Sequence, residues 1–317
     1  MNLDLTVLIP TYNRKIQLKR TLDALYGQSD KDFKIFISDN DSNYSIENEI
    51  LEKYSTDFLQ RITLHRQRAN MGADMNIASV LASCDTQWGW LLGDDDAIDE
   101  RAVENIKKKI SENPACSAFW FCISHRQQED VVMQSMEDLL EMLKINRFNG
   151  DWIFMSNKVY NLRDTEQYFE EMFFRLYTRI PHCIPILGML KDHKKVEAIN
   201  SVQIVRHAPL ENDITWEINS TLTGMRTIMD YNFGLSFSKH KEIVKYIMFR
   251  PGFVIRRYLR QDKLPWNYKM YLNVIFDETY CRVYNFPVSW ILWGIAKVIS
   301  TPIGFKVGKF FAKIEGK

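Results

Sequence analysis

The sequence predicts an α/β fold: a doubly wound, mostly parallel sheet followed by a helical C-terminal region. Three observations carry this expectation. Short β-branched or aromatic runs alternate with stretches of helical spacing over the first 125 residues. Each apolar run stops at a polar cluster. The chain has 317 residues and is 46% hydrophobic, enough for a sizeable core in one or two domains.

The elements follow in order. Leu5-Thr6-Val7-Leu8-Ile9 is a buried strand stopped by Pro10, and Lys15 to Tyr26 carries Ile16, Leu18, Leu22 and Leu25 at helical spacing. Phe33 to Ser38 is a second strand, with a helical stretch from Ile46 to Tyr54. Arg61 to His65 is a third, and Ala73 to Cys84 a helix. Gln87 to Leu92 is a fourth strand, followed by a helix over Asp99 to Asn113 and an aromatic strand over Ser117 to Ser124. Beyond it, a helix is expected near Met136–Leu143, a strand at Trp152–Met155, a helix over Thr165 to Arg179 and a strand at Val202–Val205. Glu211 to Ser220 reads as a polar loop. The expected domains are 1–240, divided into halves 1–125 and 126–240, and a helical region 241–317.

Parallel α/β sheets bind ligands outside the carboxyl ends of their strands. Four polar clusters fall at those ends: Thr11-Tyr12-Asn13-Arg14, Asp39-Asn40-Asp41, Asn70-Met71-Gly72 and Asp94-Asp95-Asp96. The last is the most telling. Adjacent carboxylates repel, and burying them without a counter-charge is unfavourable. A hard dication such as Mg²⁺ or Mn²⁺ relieves that, since it takes oxygen ligands and joins carboxylates to phosphates. The plainer reading is an acidic turn that caps the next helix.

Leu8-Ile9-Pro10-Thr11-Tyr12-Asn13-Arg14, Ile37-Ser38-Asp39-Asn40-Asp41-Ser42, Asn70-Met71-Gly72 and Leu92-Gly93-Asp94-Asp95-Asp96, in this order, resemble the nucleotide-sugar-binding half of family 2 glycosyltransferases, which have the GT-A fold. The resemblance is good over about the first 125 residues and looser over the next hundred. It implies a nucleotide-sugar donor, a saccharide or lipid-linked saccharide acceptor, Mn²⁺ or Mg²⁺ as cofactor, and inversion at the anomeric carbon. Tyr12 would stack on the base, with Pro10 and Thr11 shaping the loop beneath it. Asp39 would accept a hydrogen bond from a pyrimidine ring N–H, favouring a UDP-sugar. Asn70 and Gly72 would line the nucleotide, Gly allowing close backbone approach. Arg14 either reaches the diphosphate or pairs on the solvent side of the following helix. In the family a D-x-D carries the metal and touches the donor ribose. Here Gly93 stands where the first acid is usual, so Asp94 and Asp96 are the expected pair, Asp96 the direct metal ligand and Asp95 an alternative partner.

An acceptor hydroxyl needs a general base. The family places an acid pair roughly 90 residues after the metal motif, and this chain lacks a clean one. His182 is the first choice, its ordinary pKa lying near neutrality. Asp192 and Glu171 follow, with Asp213 a further candidate.

Net charge is +1, which singles out no polyanionic partner. Its distribution is uneven: 14 Lys and Arg face 5 Asp and Glu from Lys241 onward, leaving 27 against 35 before it. Trp290, Trp293, Ile295, Val298, Ile299, Phe305, Val307, Phe310 and Phe311 alternate there with Lys306, Lys309 and Lys313. That pattern suits the surface of an anionic bilayer, or else a helical bundle packed on the body. Nucleic acid is not expected, because no binding motif accompanies the charge. Five scattered cysteines without a CxxC pair, and an N-terminus without signal-peptide character, point to a cytoplasmic protein held peripherally at the inner face of the membrane. The readings to set against sugar transfer are a non-catalytic saccharide-binding relative and another nucleotide-sugar enzyme such as a nucleotidyltransferase. The latter would normally carry a Gly-rich phosphate loop, which Pro10–Arg14 is not.

Overall fold

The computed structural model describes residues 3–123, 129–146, 149–206, 224–248, 250–259, 276 and 280–314. The chain groups into two compact units: Met1–Leu139, Ile153–Leu176 and Ile180–Ile214 form one, and Leu140–Trp152, Tyr177–Arg179 and Thr215–Lys317 the other.

The first unit is built on strands β1 (Leu5–Thr11), β2 (Lys34–Asp39), β3 (Ile62–Arg66), β4 (Trp88–Leu91), β6 (Ala118–Phe121), β7 (Val131–Met133), β8 (Lys158–Asn161) and β9 (Val196–Ile199). They form one sheet in the order β3-β2-β1-β4-β8-β6-β9-β7. A separate antiparallel pair joins β5 (Ala97–Ile98) to β10 (Val205–Arg206). β1, β2, β3 and β4 are mutually parallel, and β6 with β9 points the same way because β8 runs antiparallel to both β4 and β6. β7 closes the edge antiparallel to β9. The chain steps from β1 outward to β2 and β3, then returns to the other side of β1 as β4. The order therefore reverses between β1 and β4, the place where such sheets open a ligand crevice.

Side-chain alternation decides what each face packs against. Leu5, Val7 and Ile9 of β1 join Ile35, Ile37, Trp88 and Trp90 in a core with Leu18, Leu22 and Leu25 of helix Lys15–Tyr26 and Val103, Ile106 and Ile110 of helix Ala102–Glu112. Each leucine so buried stabilises by roughly 1.5–3 kcal/mol. Helix Ala73–Ala82 packs on β1 and β2 with Ala78, Val80 and Leu81 buried.

The strands expected over the first 125 residues are present within two or three residues of their expected ends. Later elements differ. Trp152–Met155, expected as a strand, is the end of helix Asn149–Ile153 and a 3₁₀ turn over Met155–Asn157, with the strand following at Lys158. The expected helix over 165–179 is broken into short turns around Phe169–Phe174.

The second unit contains helices Phe237–Ile247, Pro251–Leu259, Val288–Ile299 and Pro302–Ile314. Tyr258 meets Phe305 edge-on at 5.5 Å. Among the described residues no single helix is long and apolar enough to cross a membrane; one pair, Val288–Ile299 with Pro302–Lys309, meets that test jointly but bends by 102°. Phe286, Trp290, Ile291, Trp293, Val298, Ile303 and Val307 are exposed. The loop 211–220, with Asp213, lies outside the described residues.

Candidate active site

The carboxyl ends of β1, β2, β3 and β4 bring the sequence's polar clusters to one rim. Register aligns Thr11 with Asp39 and Asp39 with Arg66 across three strands. The loop after β1 is tied to the loop after β2, since the Asn13 amide donates to Ser42 Oγ at 2.8 Å and Asn43 N donates to Asn13 Oδ1 at 2.8 Å. Asn13 and Asp41 both take left-handed φ, +54° and +68°, which Asn and Asp tolerate better than other non-glycine residues. Tyr12 stands exposed on this rim, with Pro10 half-buried beside it.

Asp39 is buried. Its Oδ1 accepts from Ser42 N at 3.0 Å and its Oδ2 from Arg66 Nη1 at 3.2 Å. Arg66 also reaches Asp41 Oδ1 at 3.0 Å and the carbonyls of Ser42 and Tyr44. It clamps the whole 39–44 loop, and no sequence pattern pointed to it. Next along, Asn40 Nδ2 donates to Asn70 Oδ1 at 2.8 Å, and Asn40 Oδ1 accepts from Met71 N at 2.9 Å. Asn70 Oδ1 also accepts from Gly72 N at 2.8 Å. Gly72 has φ +84°, a conformation that side chains resist, and from it the chain enters helix Ala73–Ala82.

The aspartate triplet lies where the first and fourth loops meet. Thr11 Oγ1 donates to Asp94 Oδ2 at 2.6 Å, and Thr21 Oγ1, from the helix after β1, donates to the Asp94 carbonyl at 2.9 Å. Arg14 pairs with Asp95 and lies 3.6 Å from Asp94 Oδ1. This pairing ties it to the fourth loop, a contact that neither of its two expected roles named. Asp94 is buried, while Asp95 and Asp96 are partly exposed. Ser156, from the turn before β8, holds Asp96: its Oγ donates to Asp96 Oδ2 at 2.5 Å and accepts from Gly93 N at 2.7 Å. Burial pushes the Asp94 carboxyl up to about 7, Arg14 and Thr11 opposing without cancelling it. Burial likewise pushes Asp96 up to about 7 against the Ser156 hydrogen bond, and the charges of Asp95 and Asp94 add to the rise.

This environment suits a hard cation. Carboxylates that burial and like charge hold against ionisation are relieved by added positive charge. Among the described residues no three His, Cys, Asp or Glu form a ready-made cage. One or two carboxylates with an otherwise open shell is the arrangement Mg²⁺ adopts on phosphate substrates.

The expected bases have partners of their own. His182 is buried, its Nε2 bonded to the Ile153 carbonyl at 2.9 Å, and burial with the nearby Lys158 charge lowers it to about 3. An imidazole so held is shielded from solvent and a poor proton acceptor. Asp192 follows helix Ile184–Lys191 four residues before the amino end of β9, and accepts from the Tyr168 hydroxyl at 2.9 Å. Glu171 is engaged by Arg175 on its own short helix. Among the described residues, none of the three makes a hydrogen bond or ion pair with the triplet.

Comparison with known proteins gives the family and the fold. Residues 6–192 match the glycosyl transferase family 2 model. The abequosyltransferase RfbV of Salmonella typhimurium is 33% identical over 92 residues, which is 28% of this chain and 27% of that protein. A GalNAc(5)-diNAcBac-PP-undecaprenol beta-1,3-glucosyltransferase of Campylobacter jejuni is 22% identical over 174 residues, 52% of this chain and 56% of that protein. These alignments span between about a quarter and about half of the curated relatives. In fold, the S. aureus TarS 1–349 crystal structure superposes with a TM-score of 0.66 at 13% identity, covering 99% of this chain and 92% of that one. TarS 1–349 in complex with UDP-GlcNAc gives 0.65 at 13% identity, covering 98% and 89%. The sheet is thus a GT-A sheet, its switch-point rim carries the triplet, and the chain belongs to glycosyl transferase family 2.

Proposed function

We propose that this protein moves a sugar from a nucleotide diphosphate, a UDP-sugar, to a hydroxyl of a saccharide acceptor, with inversion at the anomeric carbon. The observation that carries the reading is the joining of the first and fourth loops, Thr11 to Asp94 and Arg14 to Asp95, at the switch point of a GT-A sheet. A site built from pyrophosphate-facing loops and a carboxylate cluster at that place fits a nucleotide diphosphate better than any other ligand class. The alternatives fit less well. A nucleotidyltransferase lacks its phosphate loop here, and family membership favours transfer over mere saccharide binding.

The roles follow from side-chain chemistry. Tyr12, exposed, stacks on the base. Asp39 offers a carboxylate to a pyrimidine N–H; two of its lone pairs are taken by Ser42 N and Arg66, and a carboxylate has about four. Pro10, Thr11, Asn70 and Gly72 shape the nucleotide's bed. Arg14 carries positive charge to the diphosphate side of the triplet. Asp96, with Asp94 or Asp95, would hold Mn²⁺ or Mg²⁺, which when bound stabilises the charge of the leaving diphosphate. Binding the donor here orients its anomeric carbon toward the acceptor.

The relatives named above support a bacterial surface-polysaccharide setting of the O-antigen or capsule type, with an acceptor carried on a lipid. The exposed Trp290 and Trp293 of helix Val288–Ile299 and the exposed Ile303 and Val307 of helix Pro302–Ile314, with the Lys297 ammonium 5.6 Å from the Trp293 ring centre, support peripheral contact with an anionic bilayer at its cytoplasmic face. Flotation with anionic vesicles tests that contact. The full chain is expected to float and a chain lacking 286–317 to stay behind, and equal flotation of both refutes it.

Hydrolysis of UDP-sugars in the presence of Mn²⁺ tests the reaction. Slow donor hydrolysis is expected, abolished in Asp96→Ala; no hydrolysis, with no effect of that change, sinks the enzyme reading. A thermal-shift screen of nucleoside diphosphates is expected to favour UDP, and a preference for GDP overturns the role given to Asp39.

A further inference from the structure

Ser156 is 60 residues from Asp96 in sequence, and no motif reading joined them. In the fold they meet through a three-part chain of hydrogen bonds. The Trp90 indole, buried in the middle of β4, donates to the Ser156 carbonyl at 2.7 Å and fixes its backbone. The Gly93 amide donates to Ser156 Oγ at 2.7 Å. A hydroxyl has one proton to give; with its lone pair facing an N–H, that proton goes to Asp96 Oδ2 at 2.5 Å. The direction of the chain is therefore set: amide to hydroxyl to carboxylate. Ser156 is fully buried, so its hydroxyl is held between these two partners.

Gly93 leaves the room this arrangement requires. A Cβ built there would lie 2.8 Å from Asp96 Oδ2, 3.1 Å from Ser156 Oγ and 3.4 Å from Asp95 Oδ1. The position where the family usually carries an acid is, in this chain, occupied in space by Asp96 and Ser156.

We infer that Ser156 is the positioning residue that aims Asp96 for cation and donor binding, and that Gly93 and Ser156 work as a single unit in place of the acid usual at position 93. The inference rests on the donor-site reading above and adds to it a residue outside the aspartate motif. Groups that hold a metal-binding carboxylate from behind typically change metal affinity 10–100-fold when removed.

The test is Mn²⁺ binding to the full chain in the presence of UDP, followed by the electron paramagnetic resonance of free Mn²⁺, with circular dichroism to confirm folding. Ser156→Ala is expected to weaken Mn²⁺ about 10–100-fold while remaining folded. Gly93→Ala is expected to weaken it at least as much. The double variant should bind no more weakly than the poorer single one, because both changes disable one device. Losses that multiply in the double variant overturn the inference, as does wild-type affinity in Ser156→Ala. Retention of binding in Asp96→Ala alongside loss in Ser156→Ala also overturns it, since Ser156 would then act through some other group. If the wild-type chain binds no Mn²⁺ with UDP, the donor-site reading falls and this inference with it; if it binds and Ser156→Ala binds equally, only the inference falls.

Discussion

Asp94 shows how a single residue reports its surroundings. It accepts from Thr11, faces Arg14, and is still pushed up to about 7 by burial. A carboxyl with a folded pKa above its unfolded value of 3.8 favours folding while protonated, and that contribution is lost as pH rises from about 4 to about 7. Asp94→Asn keeps an acceptor for Thr11 and removes the titration. Melting temperatures should therefore show the variant gaining on the cation-free wild type across that range; parallel curves would contradict the burial assigned to Asp94. The residues of the triplet were legible because their types stand beside an apolar run that announces a strand end. Arg66 and Ser156 were not. Arg66 closes a strand as an ordinary polar residue, and its four partners lie 22 to 27 positions away. Ser156 gains its meaning only from Gly93, whose absent side chain reads in sequence as a departure and in space as room for a hydrogen bond.

At the scale of elements, local periodicity foretold the strands and helices that pack one against the next in chain order. Leu18, Leu22 and Leu25 recur on one face and all three are buried. Leu22→Ala should destabilise by about 2–5 kcal/mol in denaturant unfolding; a change under 1 kcal/mol would mean that helix Lys15–Tyr26 is not seated on the sheet. The antiparallel strand β8 was missed because a short apolar run does not say whether it is helix or strand, and Trp152–Met155 carried the more apolar signal. His182 was read as a base because its side-chain type and position fit, but a run of apolar and proline residues, Ile180-Pro181-His182-Cys183-Ile184-Pro185, also fits a buried turn, which is what forms. The low pKa gives it a stability signature. His182 is neutral in the fold down to about 3, whereas the unfolded chain takes up a proton below about 6.5. Its contribution to stability is thus fully present above about 6.5 and lost as pH falls toward 3. His182→Gln should flatten that part of the pH–stability curve relative to wild type; an unchanged curve would contradict its burial.

The whole molecule combines a GT-A sheet, legible from its first 125 residues, with a basic, aromatic C-terminal region whose role the pattern narrowed to two. The second unit leaves Trp290, Ile291, Val298 and Ile303 well exposed on helices whose only charged residues are lysines. Helices apolar on most sides are ordinarily covered by protein or lipid. If these side chains and the lysines beside them meet an anionic bilayer, as proposed, vesicle binding should weaken as salt is raised, since surface charge attraction is screened. Vesicle binding indifferent to both salt and lipid charge would contradict the electrostatic part. The donor half is legible because nucleotide binding draws on loop ends that one sheet brings together. The acceptor side is not, because beyond about residue 125 the sequence carries no motif that marks it.

The rim joined by Thr11–Asp94 and Arg14–Asp95 is proposed to hold a nucleoside diphosphate through a cation on the aspartate triplet. Calorimetric titration of UDP into the full chain, with Mn²⁺ and with chelator, tests it most directly. Binding that requires Mn²⁺ and disappears in Asp96→Ala is the predicted result. Equal UDP affinity with and without the cation, unchanged in Asp96→Ala, would contradict it.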